Sequence, residues 1–272
     1  MDSFVKLSGG YNGEIEDSIH ILTHNLQSVN RLQKKNGEFN KEEKTAFISK
    51  MKAQGLPNVI CTQETTYKGF TLLKESLEYP HAIKSQGHQA TILSKNPILN
   101  NGELDLRSDE ASSAIWADIK FEKDTFRIYS IHLKSNKISE PASEMLEDAD
   151  LQSSITWNSV RGILAYYKNS TTIRVKQANI ITKHAKESPY KTIFCGDLND
   201  TPLSNVYNVL ATDKKDSFKE CGSGIGTTYA GVIPALRIDY ILADDRLDII
   251  DHQIHKGNYS DHYAISAKIV LP

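Results

Sequence analysis

The chain has 272 residues, of which 39% are hydrophobic and 24% charged, with a formal net charge of −2. This composition excludes a fibre, a disordered polymer and a disulfide-dense scaffold, and it lacks the overall basic excess of a protein that coats nucleic acid. The cysteines Cys61, Cys195 and Cys221 show no CxxC or Cys/His spacing, so neither a structural disulfide nor a zinc site is expected, and no window approaches the roughly 18 consecutive apolar residues of a membrane span.

Residues 1–18, "MDSFVKLSGGYNGEIEDS", lack the apolar core of a signal peptide and read as a polar lead-in. A chain trimmed from a membrane-anchored precursor would look the same, so the compartment stays open. "SIHILTHN" is the first strand, with Ile19, Ile21 and Thr23 alternating against His20, Leu22 and His24. "NKEEKTAFISKMKAQGLPNV" follows as a helix, capped by Asn40, carrying an apolar stripe of Phe47, Ile48 and Met51, and ended by Gly55 and Pro57. "NVICTQE" is a short buried strand, and the three together form a βαβ-like unit.

From residue 81 to 133 several strands follow, "HAIK", "QATILS", "SAIWADIKF" and "FRIYSIHL", with turn signals at Asn96-Pro97 and Asn101-Gly102. The last two read as a hairpin turning at Glu122 to Asp124. Residues 134–158 are polar, acidic and weakly periodic, and read as a loop insertion. "TTIRVKQANIITKHAKES" is a helix with Ile173, Gln177, Ile180, Ile181 and His184 near one face. "TIFCGD" is a strand, "SNVYNVL" a short helix, and "RIDYILA" and "YAISAKIVL" are strands. No repeat and no linker appears, so residues 19–272 read as one domain of strands interleaved with helices, with sandwich and barrel both open.

Six strand ends carry polar groups that a strand does not need: Asn25 in "THNLQ", Glu64 in "CTQET", His132 in "YSIHLKS", Asp197 and Asn199 in "CGDLND", Asp239 in "RIDYIL", and Asp261-His262 in "YSDHYAIS". A turn would account for any one of them; six, each beside an apolar run, point to side chains held at the lip of a cleft. The ordered set N, QE, HL, GDxN, RxDYIL and SDH, spread over residues 19 to 271, resembles the endonuclease/exonuclease/phosphatase family, and "GSGIGTTYAGVIPALRIDYILADD" is most similar to a bacterial subgroup of it. The resemblance implies an α/β (α+β) four-layered sandwich of the deoxyribonuclease I type, with two packed mixed, mostly antiparallel sheets flanked by helices. It also implies a divalent-metal-dependent phosphohydrolase acting through in-line attack of an activated water, with Mg²⁺ or Mn²⁺ as cofactor.

Carried onto this chain, the resemblance implies metal ligation by Glu64, Asn25 through its carbonyl oxygen, and Asp261. Asp197 would take the proton of the attacking water, and its carboxyl should stay acidic enough to be ionised at neutral pH. Asn199 would hold that water or a phosphate oxygen, and His132 and His262 would contact the phosphate, with Asp239 fixing the His262 ring. Thr227, Thr228 and Tyr229, after the Gly-rich "GSGIG", are candidate substrate-shaping residues. His20, His24, His81, His88, His184, His252 and His255 have no assigned role, and Trp116 and Trp157 read as packing rather than base-stacking platforms, with Trp157, in the polar insertion, the one to test.

The expected partner is a phosphate ester: nucleic acid, a phospholipid head group or a small phosphodiester. No obligate protein partner is expected, and the chain should be a monomer. The acids in 134–158 would repel a polyanion if they lined the cleft, which favours small phosphodiesters, head groups or sugar phosphates. A phosphomonoesterase, and a catalytically silent binding module of the same fold, are the alternatives. A serine or cysteine hydrolase is excluded by the lack of a GxSxG elbow or a Cys/His pair.

Overall fold

The computed structural model describes residues 18–53, 55–87, 89–107, 112–135, 157–231 and 235–270, with the side chains of 157–168 outside the description. The elements in chain order are β1 (Ser18–Asn25), a 3-10 segment (Gln27–Leu32), α1 (Lys41–Ala53), β2 (Val59–Gln63), α2 (Tyr67–Leu77), β3 (His81–Lys84), β4 (Ala90–Ser94), β5 (Ile98–Glu103), β6 (Ser113–Phe121), β7 (Asp124–His132), α3 (Trp157–Lys186), β8 (Lys191–Asp197), α4 (Asn205–Leu210), β9 (Lys214–Asp216), α5 (Ser217–Cys221), β10 (Asp239–Asp244), β11 (Asp248–His255) and β12 (Ala264–Val270). No described helix is long and apolar enough to cross a membrane.

The strands form two six-stranded sheets, ordered β11-β12-β1-β2-β4-β3 and β5-β6-β7-β8-β10-β9. Each sheet has a parallel pair at its centre, β1 with β2 and β7 with β8, and every other pairing is antiparallel. A parallel pair needs a crossover and brings two C-terminal strand ends to the same edge. The crossovers run over the outer faces, α1 between β1 and β2, and α3 between β7 and β8.

The two sheets pack face to face on alternate residues. The inner layer holds Ile19 and Ile21 of β1, Val59 and Cys61 of β2, Ile128 of β7, Ile193 and Cys195 of β8, Ile241 of β10, and Ile265 and Ala267 of β12. Leu22, Ile60 and Leu93 face the other way, under α1 and α2 with Phe47, Leu72 and Leu73. Tyr129, Phe194 and Leu242 do the same under α3 and α4 with Ile181, Val206 and Leu210. Strands covered on both faces are buried at every position, which is why "VICTQ" and "TIFCGD" read as continuous apolar runs rather than alternations.

Several elements differ from the sequence reading. Asn101-Gly102 is not a turn but lies within β5, where Gly102 lets the Trp116 ring approach to 2.9 Å of where a Cβ would stand. The helix α3 begins at Trp157, inside the span read as an insertion, while 136–156 lie outside the described residues. Its buried stripe is Ser170, Arg174, Gln177, Ala178 and Ile181; of the expected face Gln177 and Ile181 are buried, while Ile173, Ile180 and His184 are half-buried. The helix α2, the short elements β9 and α5, and strand β11 were not anticipated; β11 is an edge strand whose alternation is broken by a bulge between Ile249 and Asp251.

Gly196 sits in β8 immediately before Asp197, with φ of +138°, and a Cβ there would stand 2.0 Å from the Ile131 carbonyl oxygen. This close approach lets β7 and β8 pair right up to their ends, where His132 lies opposite Asp197. Gly196→Ala is expected to lower stability by more than about 2 kcal/mol, combining a disallowed backbone with a backbone clash. Chemical denaturation checks this, and a loss below about 0.5 kcal/mol would contradict it.

Candidate catalytic site

The inner-face alternation that builds the core continues past it as polar residues. On β1 the series Ile19, Ile21 leads to Thr23 and Asn25; on β2, Val59 and Cys61 lead to Gln63; on β7, Ile128 leads to Ser130 and His132; on β8, Ile193 and Cys195 lead to Asp197. β10 runs the opposite way and begins with Asp239. A buried amide links the sheets just below this edge. Gln63 donates from Nε2 to Thr23 Oγ1 (3.1 Å) and to Ser130 Oγ on β7 (3.0 Å), while Ser130 donates to the Thr62 carbonyl.

Strand register places His132, Asp197 and Asp239 side by side on three adjacent strands. From the facing sheet, Asn25 reaches over. Its Nδ2 donates to Glu64 Oε1 at 3.1 Å and to Asp197 Oδ2 at 3.0 Å, and its carbonyl oxygen accepts from Gln27 N–H. Glu64, with φ of +48°, turns the chain out of β2, and its carboxylate is 31% exposed where its neighbours are buried. His132 is 2% exposed, and neither ring nitrogen has a hydrogen-bond partner; Nε2 lies 3.4 Å from Glu64 and 3.8 Å from Asp197.

Asp197 is held by the turn that follows it. Asn199, at φ of +51°, donates its backbone N–H to Asp197 Oδ1 at 2.7 Å and its side-chain amide to Asp197 Oδ2 and to the Leu133 carbonyl. Gly, Asp and Asn thus do form a turn here, and the turn is what fixes the carboxylate. Burial pushes the Asp197 carboxyl up from its ordinary range, helped by Asp239 and opposed by His262, His132 and the Asn199 N–H. At 1% exposure, desolvation is the largest cause of that rise.

His262 donates from Nδ1 to Asp239 Oδ2 at 2.9 Å, which directs Nε2 towards Asp197 Oδ2, 3.9 Å away. Burial alone would lower its pKa, but Asp239 and Asp197, with Asp261 adding to them, raise it to about 10. His262 is therefore an imidazolium at neutral pH, with one N–H beyond hydrogen-bond distance of Asp197. Its loop is anchored by Ser260, whose hydroxyl donates to the Asn25 carbonyl and accepts from His262 N–H. His24, left without a role by the sequence, lies behind it with Nε2 3.1 Å from the His262 carbonyl, and burial lowers its pKa to about 4.

Seven of the named residues thus converge: Asn25, Glu64, His132, Asp197, Asn199, Asp239 and His262. The Asp261 carboxylate instead accepts from Ser260 Oγ at 3.3 Å and belongs to neither cluster of ligand atoms. Thr228 is 1% exposed, and its hydroxyl accepts from the N–H groups of Ile238 and Asp239, fixing the start of β10. The Tyr229 ring packs edge-on against His262 at 5.3 Å, and Thr227 is half-buried beside them. Trp116 lies under the Arg127 guanidinium at 4.0 Å; His88 and the Trp157 side chain lie outside the described residues.

Two triads place one ligand atom from each member within 4.8 Å of the others: Glu64–His132–Asp197 and Asp197–Asp239–His262. The first suits a divalent cation better. It offers a carboxylate about one-third exposed, a buried carboxylate and an imidazole with no hydrogen bond, whereas in the second the imidazole is already bonded to Asp239.

A sequence profile described as the Endonuclease/Exonuclease/phosphatase family matches residues 22–262. No protein of curated function matches the chain in sequence. Solved structures similar in fold include an endonuclease/exonuclease/phosphatase family protein from Bacteroides thetaiotaomicron (15% identity, TM-score 0.69, covering 96% of this chain and 100% of that one). Another is a mannosyl-6-phosphatase from the same organism (14%, TM-score 0.66, 93% and 100%). A third is D. rerio TDP2 complexed with single-strand DNA product (17%, TM-score 0.66, 93% and 99%).

The raised pKa of His262 has a measurable consequence. A group that binds its proton more tightly when folded stabilises the fold fully below its unfolded pKa, about 6.5, and this contribution is lost as pH rises through the folded value near 10. In metal-free protein, stability should therefore fall between those pH values, and Asp239→Asn should flatten the slope and lower the His262 pKa measured by NMR. An unchanged slope and pKa in the variant would contradict the assignment.

Proposed function

Because the chain belongs to the endonuclease/exonuclease/phosphatase family, we propose that it is a Mg²⁺- or Mn²⁺-dependent phosphohydrolase that cleaves a phosphodiester by in-line attack of an activated water. The family hydrolyses phosphate esters, includes nucleases and phosphatases, and depends on divalent metal. The observation that carries the reading is the row His132–Asp197–Asp239 facing Asn25, Glu64 and His262 across one edge of the sandwich. Groups of opposite character, a fixed carboxylate and a fixed imidazolium, sit within 3.9 Å without bonding to each other, which is how a site for an anion and its nucleophile is built.

In this reading Asp197 accepts the proton of the attacking water. Burial raises its pKa from the ordinary carboxylate range, which strengthens it as a proton acceptor. Asn199 holds the Asp197 carboxylate in orientation through its backbone and side-chain N–H groups. His262 donates from Nε2 to a phosphate oxygen and neutralises its charge, with Asp239 locking the ring. His132 is the second donor, poised by having no other partner. Glu64, the partly exposed carboxylate of the Glu64–His132–Asp197 group, would hold the metal, which when bound supplies Lewis-acid stabilisation of the negative charge developing on phosphate oxygens; Asn25, whose side-chain oxygen accepts from Gln27 N–H, instead fixes the Glu64 and Asp197 carboxylates through its amide N–H groups.

The testing experiment is a substrate panel of plasmid DNA, RNA, sphingomyelin, inositol phosphates and bis-p-nitrophenyl phosphate, each with Mg²⁺ and with EDTA. Hydrolysis of at least one ester with Mg²⁺, abolished by EDTA, is the expected result. Absence of turnover throughout would sink the enzyme and leave the silent binding module. Asp197→Ala should lose roughly 10³-fold or more in kcat with the fold intact by circular dichroism; wild-type turnover would remove Asp197 from the base role. Glu64→Gln should raise the Mg²⁺ concentration needed for half-maximal rate, and an unchanged Mg²⁺ titration would count against Glu64 as ligand.

A further inference from the structure

We infer that Arg174, together with Gln177 one turn further along α3, is a positioning residue that fastens the ends of β7 and β8 into a single unit at the catalytic edge. Arg174 is completely buried, at 0% exposure, on a helix none of whose described side chains enters the site. Among the described contacts, its guanidinium reaches out in three directions. Nε and Nη2 donate to Asp200 Oδ2 at 3.1 and 2.9 Å, Nη1 donates to the Lys134 carbonyl at 3.1 Å, and Nη2 also donates to Thr171 Oγ1 at 2.9 Å. Gln177, also at 0% exposure, accepts from the Lys134 N–H at 3.0 Å. Both backbone groups of Lys134 are therefore taken by α3.

Lys134 and Asp200 stand just behind the reacting groups on two different segments. Leu133, between Lys134 and His132, donates its N–H to the Asp197 carbonyl at 3.0 Å and accepts from the Asn199 side chain at 3.1 Å. Asp200 follows Asn199, and its carbonyl accepts from Tyr240 Oη at 2.9 Å, which also donates to the Arg237 carbonyl two residues before Asp239. A displacement of Arg174 would thus reach His132 through Lys134 and Leu133, and Asp197 through Asp200 and Asn199.

The chemistry of the residue supports this role over simple packing. A helix can be held on a sheet by apolar contacts alone, as Ala178 and Ile181 hold this one. A buried ion pair adds little net stability over apolar replacements, and its best-attested use is to fix one arrangement among several. Only a planar fork reaches a carboxylate, a carbonyl and a hydroxyl together; a lysine offers a single point of charge. Arg174 touches none of the reacting atoms, so its effect is on geometry, and misplacement of reacting groups by about 1 Å costs up to about 10²-fold in rate.

The inference rests on the phosphohydrolase reading for its kinetic consequence but not for its structural one, and the test uses both. The full-length Arg174→Lys and Gln177→Met variants are compared with wild type by NMR of the Asn199 side-chain amide and the His132 ring in metal-free protein. Mg²⁺-dependent kcat and KM on bis-p-nitrophenyl phosphate are then measured per folded molecule. In Arg174→Lys, the Asn199 and His132 signals should shift or broaden, and kcat should fall about 30-fold with KM within about threefold. Gln177→Met should show the same split, more weakly. If neither folds, the double variant Arg174→Gln/Asp200→Asn, which removes both buried charges, decides by the same signals. Unchanged signals, or wild-type kcat with only a lowered Tm, would overturn the inference. A wild-type protein that hydrolyses nothing would fail the phosphohydrolase reading instead, and the NMR comparison would then decide the positioning alone.

Discussion

The site depends on a buried carboxylate pair that would be unstable alone. Asp197 and Asp239 face each other across β8 and β10, each about 2% exposed or less, with ligand atoms within 4.8 Å. At an effective dielectric of about 20, two such charges repel by about 3–4 kcal/mol before desolvation is counted. The imidazolium of His262 between them, together with the N–H groups of Asn25 and Asn199, makes the pair tolerable. The same arrangement leaves unsatisfied capacity: Asp239 Oδ1 and both nitrogens of His132 have no partner. Buried polar atoms of that kind are few in a folded protein, and three of those found among the described residues belong to His132 and Asp239 at this one edge.

The sandwich makes such a site cheap to build. Alternate residues of each central strand face the partner sheet, so the side chains that continue the apolar series at the strand ends emerge in the same layer, already aligned. Two parallel pairs, one per sheet, deliver four C-terminal strand ends to one edge, and β10 and β12 add the segments that precede them. Rigidity comes from the hydrogen-bonded register rather than from the loops. This is why a left-handed residue at Asn199 and a close approach at Gly196 are found where β8 ends.

The parts of this arrangement legible in the sequence were those that follow local rules. Apolar runs ending in Asn25, Glu64, His132 and Asp197 announced the strands and their polar ends together, because burial on both faces leaves a continuous run that then stops abruptly. The hidden parts depend on tertiary contacts. Arg174 in "TTIRVKQ" carries no local sign of burial, and its partners Asp200 and Lys134 come from other segments. The Gln63–Ser130 bond between sheets has no sequence signature, since both residues are ordinary at exposed strand ends. Asn101-Gly102 carries a strong turn signal that pairing with β6 overrides. β11 escaped because its bulge breaks the period that would have revealed it.

On the proposed reading a divalent ion is held at Glu64, beside His132 and Asp197, at one edge of the fold. Titrating the protein with Mn²⁺ while watching its histidine ring resonances tests this directly, because the paramagnetic ion broadens only nearby nuclei. His132 and His262 are expected to vanish at substoichiometric Mn²⁺, while His20 and His81, placed towards the opposite strand ends, stay sharp. Broadening of the distant rings first, or of none at all, would contradict it.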